Sequence, residues 1–79
     1  MRLDKYLKVS RLIKRRTVAN EACDAGRVLV GDRPVKASYD VKAGDEITIK
    51  FGQKETKVRV LSVEETVRKE EAAGLFEYI

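Results

Sequence analysis

The spacing of apolar residues changes at Gly26, and that change sets the order of the fold's parts. Upstream, Leu3, Tyr6 and Leu7 recur at three- and four-residue intervals with Lys5 and Lys8 between them, the pattern of a short amphipathic helix over about residues 3–10. Val18, Ala19, Ala22, Cys23 and Ala25 give a second helix over about 16–25 a narrow face of small residues, against which another element can pack closely. Gly26 follows the last periodic residue and suits a left-handed helix end. Downstream the sequence alternates. "RVLVGDRPV" (27–35) carries a hairpin turn at Gly31-Asp32. Pro34 has no N–H to donate, so the returning strand is short or lies at an edge. A turn at Gly44-Asp45 leads into a strand near 46–51, which the Gly52-Gln53 turn joins to another near 55–63.

A chain of 79 residues is one small domain with a thin core, and the single Cys23 cannot staple it. Packing must hold the fold. A hydrophobic content of 43% with 38% charged residues suits a folded, soluble domain rather than a disordered one. No apolar run approaches the roughly 20 residues of a membrane helix. No apolar stretch follows the basic N-terminus as in a signal peptide, so a cytoplasmic protein without membrane contact is expected.

Charge is distributed unevenly. Residues 1–36 hold ten Lys/Arg against four acids, whereas residues 37–79 hold seven against nine. The basic half concentrates further in "RLDKYLKVSRLIKRR" (2–16), where seven of fifteen residues are cations and Asp4 is the one acid. Arg2, Lys5, Lys8, Arg11, Lys14, Arg15 and Arg16 thus form a candidate polyanion face, with Arg suited to bidentate phosphate contacts. The plain alternative is a solvated surface. Against it, acids do not intersperse here, and Arg15 and Arg16 sit at a helix start, where positive charge is locally unfavourable. Leu12 and Ile13 anchor the connection between the helices.

Asp4 has three readings: it favours the helix start, it holds Arg2, Lys8 or a second-helix Arg in a fixed pose, or it accepts a hydrogen bond from RNA. Enzyme chemistry finds little material. There is no His, no Gly-rich phosphate loop, and one Cys placed on the small-residue face as a buried hydrophobe, so neither a catalytic residue nor a metal or other cofactor is expected. The aromatics Tyr6, Tyr39, Phe51, Phe76 and Tyr78 form no stacking pair on a predicted strand face, so recognition should rest on phosphate geometry and RNA shape.

"RLDKYL", a basic link, "RRTVANEACDAGRVLVGDRPV" and "VKAGDEITI" together resemble the RNA-binding domain named after ribosomal small-subunit protein four, over residues 2 to about 63. The resemblance implies an α+β fold, the alpha-L RNA-binding motif, in which two antiparallel helices pack on a small bent antiparallel β-sheet and present the RNA-binding surface. By position, Arg2, Asp4 and Arg16 match the family's motif, and Ala19, Gly26, Val28 and Val30 match its structural positions. Arg15 stands where the family often has a capping Ser or Thr, and Gly31-Asp32 stands where Asn-Gly is common.

Stand-alone members of this family include a fifteen-kilodalton heat-shock protein that binds stalled large ribosomal subunits and a ribosome-quality-control group. Chain length favours the second. The resemblance then implies contacts with large-subunit rRNA and P-site peptidyl-tRNA, and support of an RqcH-like factor that adds alanine tails to the stalled chain. The binding set would be Arg2, Asp4, Lys5, Lys8, Arg11, Lys14, Arg15 and Arg16, on a monomer. Rival readings are a general tRNA- or rRNA-binding chaperone and a protein adaptor using the apolar end Leu75 to Ile79. Residues 1–63 are expected to form the RNA-binding domain and 64–79 a tail, partly helical by composition, that packs back, frays or meets a partner.

Overall fold

The computed structural model describes residues 1–64, 72 and 74–79. Two helices, α1 (Leu3–Val9) and α2 (Arg16–Asp24), precede five strands: β1 (Val28–Val30), β2 (Arg33–Pro34), β3 (Glu46–Phe51), β4 (Lys54–Val60) and β5 (Phe76–Tyr78). The strands form one antiparallel sheet in the order β2-β1-β3-β4-β5. This is the α+β architecture, with helices first and strands after, that the change of period at Gly26 requires.

Alternation decides which sheet face is dry. Val28, Ile47, Ile49, Val58 and Val60 are buried, and they meet Leu3, Tyr6 and Leu7 of α1 and Ala19, Ala22 and Cys23 of α2. The Ala and Cys side chains are short enough to bring α2 close to its neighbours. Ile13 enters the core from the link between the helices. Burial, then the Asp4 and Asp24 carboxylates, push the Cys23 thiol up to about 11, so it behaves as a core residue.

Neither helix has a side-chain N-cap. The first N–H groups of α1 are satisfied instead by a neighbouring segment: Leu3 N–H donates to the Tyr39 carbonyl at 2.8 Å and Asp4 N–H to that of Ala37 at 3.2 Å. Asp4 is left to satisfy one first-turn donor of the helix, the Lys5 N–H, which donates to Oδ1 at 2.8 Å. Gly31 (φ 56°) and Asp32 (φ 70°) both adopt left-handed conformations, which makes the β1–β2 connection a two-residue turn of the hairpin type. Asp tolerates the second position as Asn-Gly sequences tolerate theirs. Pro34 lies in the edge strand, where no N–H is missed.

Three ends move inward: β4 ends at Val60 rather than near 63, α1 at Val9 rather than 10 and α2 at Asp24 rather than 25. The chain leaves β4 to meet the C-terminus, with Leu61 N–H and Ser62 N–H both donating to the Leu75 carbonyl. Residues 76–78, read from sequence as part of a tail, are the fifth strand, paired with β4 through Val58↔Tyr78 and Val60↔Phe76. Most of the stretch whose composition favours helix lies outside the described residues.

Tyr6 links the helix pair to this closing strand. Its ring is fully buried and its hydroxyl donates to the Leu75 carbonyl at 2.7 Å. Tyr6→Phe is expected to lower stability by about 1 kcal/mol, because the carbonyl keeps its two backbone donors and only one hydrogen bond is removed. Urea unfolding should show a lower midpoint at an unchanged slope; an unchanged midpoint would count against the link.

Candidate nucleic-acid interface

The centre of the site is a carboxylate that the fold has buried among donors. Asp4 sits in the first turn of α1 with its side chain 3% exposed. Arg2, just before the helix, reaches it twice: Nε lies 3.2 Å from Oδ1 and Nη2 3.4 Å from Oδ2. The Lys5 backbone N–H donates to Oδ1 at 2.8 Å, and Asn20 Nδ2 donates to Oδ2 at 3.1 Å. Arg16, the first residue of α2, brings Nε to 3.5 Å from Oδ2 as an ion pair.

Burial works against the charged carboxylate, but the Asn20 and Arg2 hydrogen bonds, the Lys5 N–H and the charge of Arg16 outweigh it. The carboxyl is therefore held below its ordinary value. Asp4 stays ionised and both oxygens are engaged. Two of its three readings, which are compatible, are met by these contacts: Asp4 supports the start of α1 through the Lys5 N–H, and it holds Arg2 and Arg16, rather than Lys8, in a fixed pose. An Asp4 so enclosed supports the cations and presents little of itself to a ligand.

The two arginines it holds are 52% and 48% exposed at the side chain. Arg2 meets the carboxylate through Nε and Nη2 and Arg16 through Nε, and each side chain remains about half exposed. A planar fork fixed in this way offers donors to a phosphate without first losing its rotamer freedom. Beside them, a cleft of about 360 Å³ is lined by Asp4, Arg16, Thr17, Asn20 and Glu21.

The rest of the basic cluster is distributed around this pair. Lys8, Arg11, Lys14 and Arg15 are exposed, and Lys5 is half-buried. None of the four exposed cations touches Asp4 through its side chain, so they form a surrounding field rather than one constellation. Arg11 is notable for its backbone. It is left-handed (φ 64°) just past the end of α1, and its N–H donates to the Lys8 carbonyl at 3.1 Å. Glycine takes that conformation about 1–2 kcal/mol more easily than an L-residue, so the link tolerates strain while keeping a cation there.

Asn20 is the site residue that sequence reasoning missed. Its position was informative: four residues after Arg16, it lies on the same face of α2. Nothing in composition marks such an amide as a carboxylate partner.

No helix among the described residues is long and apolar enough to cross a membrane. The family model described as the S4 domain matches residues 1–47. The RQC P-site tRNA stabilizing factor of Halalkalibacterium halodurans is 60% identical over 77 residues, covering 98% of this chain and 88% of that protein. Its counterpart of the same name in Bacillus subtilis is 57% identical over 76 residues, covering 96% and 88%. Among solved structures, Heat Shock Protein 15 of Vibrio cholerae superposes with a TM-score of 0.92 at 29% identity, over 100% of this chain and 81% of that one.

Proposed function

This chain belongs to the S4-domain family, and from that premise we propose that it is an RNA-binding factor of ribosome quality control that occupies the obstructed large subunit and steadies its P-site peptidyl-tRNA. The observation that carries the reading is the Asp4 clamp, which holds two arginines ready for phosphates. Relatives named for stabilizing P-site tRNA, at nearly 60% identity over almost the whole chain, support the address.

The mechanism is placement without catalysis. Arg2 and Arg16 grip RNA backbone, while Lys5, Lys8, Arg11, Lys14 and Arg15 supply the field that draws it in and raises the rate of encounter. Holding tRNA in one site biases its position by whatever binding energy is realised only there. In this proposal the bound factor supports alanine tailing of the stalled chain by an RqcH-like partner and acts in the cytoplasm as a monomer without a cofactor. Residues 1–63 carry the RNA contacts, and 64–79 form a tail whose last strand completes the sheet.

A second reading, a heat-shock-type binder of stalled large subunits, draws on the structural likeness to Heat Shock Protein 15. Competition separates these readings from a general RNA chaperone. Tagged protein bound to purified large subunits carrying peptidyl-tRNA should resist displacement by excess bulk tRNA. Empty subunits should hold it less well if P-site tRNA is part of the site, and equally well if rRNA alone makes the site. Ready displacement from both kinds of subunit would remove the ribosomal address.

A further inference from the structure

The outer face of the sheet, opposite the core, carries its charges in two unlike rows. At one end Arg59 stands between Glu46 and Glu77 on neighbouring strands. It lies 3.9 Å from the first carboxylate and 3.7 Å from the second, so signs alternate and neutralise. At the other end the pairing is of like charges. Val28 faces Ile49 in the ladder, and Lys50 N–H donates to the Arg27 carbonyl at 2.8 Å, which sets Arg27 directly beside Lys50. Leu29 faces Pro34, and Val35 N–H donates to the Val28 carbonyl at 3.3 Å, so the same register carried one residue further brings Lys36 beside Arg27. Glu55, opposite Lys50, is the acid that ends this row.

Arg27, Lys36 and Lys50 are all exposed, and among the described residues none makes an ion pair. Like charges directly opposite one another on adjacent strands are destabilising. The same face shows the remedy at its other end, so the sheet tolerates the repulsion here without using it for packing. Adjacent strands are about 4.8 Å apart, which spreads the three cations over about 10 Å. That is a strip of positive charge matched to a run of phosphates.

Its position matters as much as its charge. Arg16 opens α2, and Arg27 lies just past the other end, about 13 Å away for a helix of this length. One phosphate chain held at Arg2 and Arg16 need not be the one that meets the strip.

We propose that Arg27, Lys36 and Lys50 form a second phosphate-binding surface that takes a separate RNA segment, so that the domain bridges two backbones. This deepens the RNA-binding reading above and rests on it.

The test uses a biotinylated RNA hairpin on beads, fluorescent bulk tRNA in solution, and the full chain between them. Wild type should retain tRNA on the beads. The triple variant Arg27→Gln, Lys36→Gln, Lys50→Gln should bind the hairpin within about threefold of wild type, lose most of the bridged tRNA, and melt at or above the wild-type temperature as repulsion is relieved. Arg27→Lys alone should bridge normally. The salt slope of the triple variant on the bridged RNA should be shallower by about 0.7–0.9 for each phosphate it no longer neutralises. Arg16→Ala should lose hairpin binding and bridging together. Wild-type bridging that survives the triple substitution, or a wild type that binds the hairpin without bridging, overturns the second surface. Hairpin binding unaffected by Arg16→Ala but abolished by the triple variant would instead keep the strip and overturn the Asp4-centred site.

Discussion

Arg16→Ala is expected to lower RNA affinity about tenfold to a hundredfold, the worth of one charge-assisted contact of about 1.5–3 kcal/mol. The fold should be nearly untouched. Arg16 is half-exposed, and its removal leaves Asp4 with Arg2, Asn20 and the Lys5 N–H. It also takes a positive charge away from the start of α2, where the helix dipole disfavours it. Stability should therefore hold or rise slightly while binding falls, a separation that a merely structural arginine would not give. The slope of log affinity against log salt should become shallower by about 0.7–0.9, the effect of one phosphate. Equal affinity and slope in wild type and variant would dismiss Arg16 as an RNA contact.

Asp4→Ala should be worse in both respects. The carboxylate is buried and serves Arg2, Arg16, Asn20 and one backbone N–H, so its loss costs about 1–3 kcal/mol of stability, a large share for a domain of this size. Affinity should fall further than for Arg16→Ala, because two arginines lose their support at once. The pH dependence provides an independent check. The carboxyl of Asp4 is held below its ordinary value in the folded protein, so its contribution is complete above the unfolded value of about 3.9 and is lost as pH falls through the lower folded one. The stability gap between wild type and Asp4→Ala should therefore be constant near neutrality and close in acid below about pH 4. A gap that widened in acid would mean that the carboxylate is not stabilised by these partners.

Which parts of this arrangement were legible in the sequence follows from how local each one is. The helices, the Gly31-Asp32 hairpin and the edge position of Pro34 follow from periodicity and from single residues whose backbone limits are fixed, and they stand where expected. The cationic cluster was legible as composition, and the partnership of Asp4 with Arg2 or Arg16 as one of several options. Choosing among the options needed tertiary structure. Only the fold shows that Tyr39 and Ala37 satisfy the start of α1, that Asn20 completes the carboxylate's shell, and that Lys8 stands apart from it. The fifth strand, Phe76–Tyr78, escaped notice because no short turn ties it to a neighbour as Gly31-Asp32 ties the equally short β1 to β2; it gains its strand character by pairing with β4, distant in sequence. The row Lys36, Arg27, Lys50 is likewise invisible in one dimension, since Lys36 and Lys50 stand nine and twenty-three positions after Arg27 and meet it only through register.

The central claim, that the arginines held by Asp4 bind this chain to RNA on the large ribosomal subunit, is tested most directly by sedimentation. Tagged wild type and Arg16→Ala would be run through sucrose gradients from lysate at low and moderate salt, with peptidyl-tRNA followed in each fraction. The account predicts wild type in the free large-subunit peak together with peptidyl-tRNA, weakening as salt rises, and Arg16→Ala at the top of the gradient. Wild type at the top or among small RNAs, or a variant that stays with the large subunit, would contradict it.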